Sequence, residues 1–201
     1  QLTISKDFFL KHLNIFNSYK ANLKKIKLIT IHLHANYNSL ISNDKKSILF
    51  IKKLNKFSKD LGNVFGYCVH PDNVETYEII VKLKNKKSYL AIEVTDLKSK
   101  SGNSFKQINL LLNKYKYLGL VLDTSHIKDI KEKFKEEPSF LNYCKYFYKR
   151  IVEIQISSNE NNYKKNLFFN NFKTDHSLMC TSKKKVFNEL MKMPYFKKLN
   201  L

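Results

Sequence analysis

Apolar residues along the chain fall into two alternating patterns. Five short runs, at 28–33, 64–69, 89–94, 118–122 and 151–156, are almost continuously apolar and rich in β-branched or aromatic side chains. Runs of that length predict strands buried on both faces, as in a parallel sheet. Around and between them, apolar residues recur three and four apart over 7–20, 44–61, 73–83, 104–116, 138–149 and 182–193. That spacing predicts helices with one buried face. On 7–20 the stripe is Phe8, Phe9, His12, Leu13 and Phe16; on 44–61 it is Ile48, Leu49, Ile51, Leu54, Phe57 and Leu61. Asn43 and Ser104 are candidate caps for the second and fourth helices. Pro138 suits the first turn of the fifth. Alternating strands and helices predict right-handed crossovers and a parallel α/β sheet, open or closed into a barrel. No Pro/Gly/Ser-rich linker or internal repeat divides the chain, so residues 1–201 read as one domain.

What ends each strand is polar. The first runs into His34, the second into His70-Pro71-Asp72, and the third ends on Glu93 with Asp96 beyond. The fourth is followed by Asp123 and His126, the fifth carries Gln155 with Ser157 after it, and a later loop holds Asp175-His176. The carboxyl ends of parallel strands are where α/β proteins build their sites. Histidine with aspartate or glutamate is the ligand set of zinc, manganese and similar ions. Convergence of these residues on one rim points to a metal or catalytic cluster; the competing reading is a set of hydrogen-bonded loop anchors. His12 falls in a helix and is expected to be structural. His32 precedes His34 by two residues, so it points the same way one pleat deeper, and is expected to pack or support rather than ligate.

Composition changes this picture in three respects. With 201 residues, 43% apolar and 13% aromatic, the chain can bury a core and is too apolar for a disordered basic tail. No run approaches the roughly 18 apolar residues of a membrane span, and no signal peptide is visible. Cys68, Cys144 and Cys180 are odd in number, widely spaced and form no CxxC. A disulfide framework is not expected, and a reducing cytoplasm is; Cys68 and Cys144 fall in apolar patterns and are expected in the core. Lys+Arg number 37 against 17 Asp+Glu, a net charge of +20, which favours polyanions such as DNA. Arg150 is, however, the only arginine, and arginine is the residue of bidentate phosphate and base contacts. Dispersed lysine on an Asn/Ile-rich background reads as a compositional bias of the solvated surface.

Four motifs resemble the xylose-isomerase-like TIM barrels, a superfamily that includes endonuclease IV and many sugar-phosphate isomerases and epimerases. They are His34-Ala35-Asn36-Tyr37, Val69-His70-Pro71, Ala91-Ile92-Glu93 and Val121-Leu122-Asp123-Thr124-Ser125-His126. The match runs from about residue 26 to residue 157, and Leu122–His126, similar to the superfamily's "LDTxH" signature, is its most specific piece. The resemblance implies a (β/α)8 TIM barrel, incomplete in this chain, with strands three to seven present and strands one, two and eight missing or truncated. A full barrel takes about 250 residues, and the chain starts at Gln1 rather than Met; the expectation is most of a barrel cut at both ends, with open sheet edges and poor stability alone.

The resemblance also implies ligands. His34, His70 and Glu93 would hold one divalent metal, zinc or manganese. Asp123 would help hold a second that Glu93 bridges, and His126 and His176 would belong to a third. Glu93, Asp123 and His126 are the implied catalytic residues; Tyr37, Asp96, Gln155 and Asp175 would support them or touch substrate. Two positions depart from the pattern: Gln155 stands where the family has a metal-binding histidine, and Thr174 where endonuclease IV has an aspartate. Three functional readings follow. The first is a metal-dependent isomerase or epimerase of a small sugar or sugar phosphate. The second is an endonuclease-IV-like phosphodiesterase on abasic DNA, with Tyr37 as a stacking wedge. The third is a degenerate, non-catalytic barrel that binds a metabolite or partner. None involves a membrane.

Overall fold

A computed structural model of the chain describes residues 2–33, 40–62, 64–84, 88–155 and 192. Six strands form one sheet: β1 (Leu2–Ile4), β2 (Leu28–Leu33), β3 (Val64–Val69), β4 (Ser88–Glu93), β5 (Gly119–Asp123) and β6 (Ile151–Gln155). Their spatial order is their sequence order, and every neighbouring pair is parallel. Crossovers that all step the same way and share one hand put every helix on one face of the sheet. That winding belongs to a TIM barrel, not to a doubly wound sheet, whose order reverses partway.

The two faces bear this out. Ile29, Ile31, Leu33, Phe65, Tyr67, Val69, Leu90, Ile92, Leu120 and Leu122 belong to the main core under the helices. The opposite face carries a separate small cluster of Cys68, Ala91 and Val121, with Tyr89 packed against it. The Tyr89 hydroxyl donates to Glu153 Oε2 on β6 at 2.9 Å and lies 3.5 Å from Thr30 Oγ1 on β2. In a flat sheet four strand spacings would separate those strands by about 19 Å. One hydroxyl touching both requires a strongly curved, barrel-like sheet. The phenol can lie there because residue 66 is glycine: a Cβ at Gly66 would collide with the Tyr89 ring.

The helices are α1 (Lys6–Lys11), α2 (Leu13–Ser18), α3 (Lys20–Leu23), α4 (Lys45–Leu61), α5 (Tyr77–Ile80), α6 (Phe105–Lys114), α7 (Thr124–Lys133) and α8 (Phe140–Phe147). The single helix expected over 7–20 is interrupted at His12 and Tyr19. Its heptad spacing survives, since Phe9 and Phe16 both reach Phe57, with ring centroids 5.9 and 6.1 Å away. Asp44, not Asn43, caps α4, its Oδ1 accepting from Ser47 N at 2.9 Å; the helix ends at Gly62 in the left-handed region, φ 72°, where glycine carries no Cβ penalty. The segment 73–83 begins on the last residue of a 3₁₀ turn (Pro71–Asn73) and then holds the four-residue α5 and a second 3₁₀ turn after it. Ser104 caps α6 as expected. Ser139 caps α8, so Pro138 precedes the cap rather than opening the helix. Two elements go beyond the sequence reading: α7, and the three-residue β1, which stands where a missing or truncated strand was expected. The helix expected at 182–193 lies outside the described residues apart from Lys192. Among the described residues no helix is long and apolar enough to cross a membrane.

Candidate metal centre

The inward alternation of β4 ends on Glu93. Its carboxylate is 1% exposed, a costly place for a charge unless cations or donors surround it. Three histidines do. His32 Nε2, from β2, lies 3.2 Å from Glu93 Oε2. His70 Nε2, just past the end of β3, lies 3.5 Å from the same oxygen. His126 Nδ1, in the first turn of α7, lies 3.7 Å from Oε1. The thiol of Cys68 donates to Oε2 from 3.3 Å. Burial on its own raises the Glu93 carboxyl, but the His70 hydrogen bond and the charges of His32, His70 and His126 outweigh it and hold the group down at about 2. Burial lowers the His70 imidazole, yet the bond to Glu93 and its charge leave it raised. Burial first, then Glu93, pushes the Cys68 thiol well up.

Asp123 closes β5 and caps α7. Its Oδ1 accepts from Ser125 N at 2.7 Å, Ser125 Oγ at 2.5 Å and His126 N at 3.3 Å. One side chain thus ends a strand, starts a helix and enters the cluster. His126 Nδ1 lies 2.8 Å from the carbonyl oxygen of Val94. A carbonyl only accepts, so Nδ1 carries the proton and Nε2 is the basic atom of the ring.

Two groups bring potential ligand atoms within 4.8 Å of one another: His32, His70 and Glu93, and Glu93, Asp123 and His126. Imidazole with carboxylate is the donor set of zinc and manganese. Two imidazoles converging on one buried carboxylate fit a divalent ion as well as they fit protons. The residues present therefore suit the group that the motifs imply.

Of the residues singled out in the sequence, His70, Glu93, Asp123 and His126 come together here. His34, Tyr37, Asp175 and His176 lie outside the described residues. Asp96 builds its loop: Oδ1 accepts from Lys98 N at 3.0 Å, Ser99 N at 3.0 Å and Ser99 Oγ at 3.1 Å. Gln155 is the register partner of Asp123, and its Nε2 donates to Glu153 Oε1 at 3.1 Å. His32, read from the sequence as packed or supporting, is placed directly against Glu93. Cys68 and Glu153 received no site role from the sequence. The signal for all three was parity: each shares the inward phase of its strand with a residue at the rim.

No protein-family model matches the sequence, and no curated protein matches it. Among solved structures, one from Anabaena variabilis, provisionally named a sugar phosphate isomerase/epimerase, is similar, with a TM-score of 0.48 and 17% sequence identity. The match covers 72% of this chain and 59% of that one, so the chain spans less than two thirds of the structure it matches.

Proposed function

We propose that this chain forms the metal-binding part of a TIM-barrel enzyme that isomerises or epimerises a small sugar or sugar phosphate, using a divalent ion such as zinc or manganese. The observation that carries the metal part is Glu93, a buried carboxylate shared by two three-residue ligand groups at the carboxyl end of the sheet. The sugar part rests on the motif resemblance, above all Leu122–His126.

In this reading His32, His70 and Glu93 hold the ion, and Asp123 stands beside them. A divalent ion bound there supplies Lewis-acid polarisation of a neighbouring carbonyl or hydroxyl oxygen. The chain's own groups do the rest. His126, oriented by Val94, presents Nε2 to take up or return a proton. Lys98 and Lys100, exposed on the loop beyond Glu93, offer charge for a phosphate. The barrel wall excludes water below Glu93 through Cys68, Ala91 and Val121, which are fully buried.

Among the described residues, no cluster gives comparable support to DNA. The only arginine is engaged at the end of α6, where Arg150 donates to the carbonyls of Lys116 (2.8 Å), Leu112 and Tyr115 (both 3.2 Å). It is spent on a helix terminus rather than offered to a phosphate.

The test has two stages. Purified protein should take up zinc or manganese stoichiometrically by calorimetry, and His70→Ala or Glu93→Ala should abolish the uptake. Aldose and ketose phosphates incubated with the metal-loaded protein in deuterium oxide should gain deuterium beside the carbonyl, read by NMR. Protein that binds no ion would point instead to a non-catalytic barrel; ion uptake without exchange on any sugar would remove the substrate class alone.

A further inference from the structure

We infer that Cys68 is a positioning residue for Glu93: its thiol is the hydrogen-bond donor that keeps the carboxylate aimed when a divalent ion occupies the cluster. The inference rests on the metal reading above and adds a residue to it.

Cys68 is the last residue but one of β3, in register between His32 on β2 and Ala91 on β4. It is fully buried. Its companions on the inward face, Ala91, Val121 and Tyr89, pack against it as an apolar cluster, and its Sγ approaches Glu93 Oε2 at 3.3 Å. Ala91, its register partner, precedes Glu93 by one pleat, so the thiol reaches the carboxylate from below, away from the rim. His32 Nε2 and His70 Nε2 also lie near Oε2. An imidazole nitrogen binds a metal through its lone pair, and a nitrogen so used has no proton to give to Glu93. When an ion enters, both histidines turn from partners of Glu93 into fellow ligands. The Cys68 contact does not compete for the ion and survives the change. Partners of this kind, behind a ligating carboxylate, fix its orientation and tune affinity for the metal.

The experiment uses the full chain and zinc or cobalt(II) as the probe. Zinc affinity is measured by calorimetry for wild type, Cys68→Ala, Cys68→Ser and Cys144→Ala. Cys144 is the control, a second fully buried thiol in α8 with no part in the cluster. Removing the donor should weaken zinc binding by about tenfold or more. Cys68→Ser, which keeps a donor, should stay within about threefold of wild type, and Cys144→Ala should not change it. A purely structural role would lower stability in both Cys68 variants and leave affinity alone. The wild-type S–H stretch, read by Raman spectroscopy, needs no variant to fold: a strongly hydrogen-bonded S–H band should persist on zinc loading. Equal affinity in Cys68→Ala, or loss of that band with a thiolate-to-cobalt charge-transfer absorption in its place, overturns the inference. Wild type that binds neither zinc nor cobalt removes the metal reading, and this inference falls with it.

Discussion

Glu93 holds a negative charge where water does not reach, and among the described residues the cationic groups paired with it are histidines rather than lysine or arginine. The carboxyl is nonetheless held well below the ordinary carboxylate range, so in the metal-free protein its partners more than offset the desolvation. A depressed carboxyl contributes stability at neutral pH, and removing one partner of a buried charged group is costly. We expect Glu93→Gln, which keeps the shape, to lose about 3 kcal/mol of unfolding free energy at pH 7.5, and Glu93→Ala, which also leaves a cavity beside the imidazoles, to lose more. Urea unfolding of the metal-free proteins reads both. A change within about 1 kcal/mol in Glu93→Gln would show that desolvation consumes the gain and that the carboxylate contributes nothing to the metal-free fold. At this scale the sequence was partly legible. Strand ends supplied His70, Glu93, Asp123 and His126. The contact made by His32 depends on how β2 is staggered against β3 and β4, and register is a non-local property that apolar runs do not encode.

The elements were legible where a single pattern dominates. The strands buried on both faces announce themselves as apolar runs, and β2 and β3 fall where expected. Three residues are too few for such a run, so β1 was invisible. Helix α7 was masked by its own polarity, and its cap, Asp123, also ends β5. Asp44 teaches the same lesson at α4. Asn43 and Asp44 are equivalent as cap types, but only Asp44 meets Lys6, at 3.8 Å, and Ser42, at 2.6 Å. The Ser42 hydroxyl first, then the Ser47 hydroxyl and N–H, hold the Asp44 carboxyl far below its ordinary 3.8, against a small opposing effect of burial, with Lys6 adding to the lowering. A depressed carboxyl contributes stability above its unfolded value, and that contribution is lost as the pH falls toward the folded one. Acid below pH 3.8 should thus erode stability in wild type and erode it less steeply in Asp44→Asn. The amide still caps, so at pH 7 Asp44→Asn should lose less than Asp44→Ala, which drops about 1 kcal/mol. Equal acid slopes in wild type and Asp44→Asn, followed by circular dichroism, would show that Asp44 does not titrate with folding.

For the whole molecule, what makes a site out of scattered strand ends is curvature. Glu93, His32 and His126 come from β4, β2 and α7, and in a flat sheet β2 and the end of β5, where α7 starts, would be three strand spacings or about 14 Å apart. Tyr89 ties the curve from inside, spanning from Thr30 to Glu153 over the bare backbone of Gly66. Gly66 lies outside the left-handed region, so alanine is acceptable to its backbone and its cost must come from the Tyr89 ring. Gly66→Ala should cost about 1–3 kcal/mol, the usual range for overpacking. In a Tyr89→Leu background, which lacks the ring and hydroxyl atoms that a Cβ would strike, the same change should cost almost nothing. A double-mutant cycle measured by urea unfolding should then give a coupling of about 1 kcal/mol or more. Additive costs would mean that the ring does not lie across β3. The tie between β2 and β6 would then be lost, and with it the reason for the sheet to bend its polar ends together around Glu93.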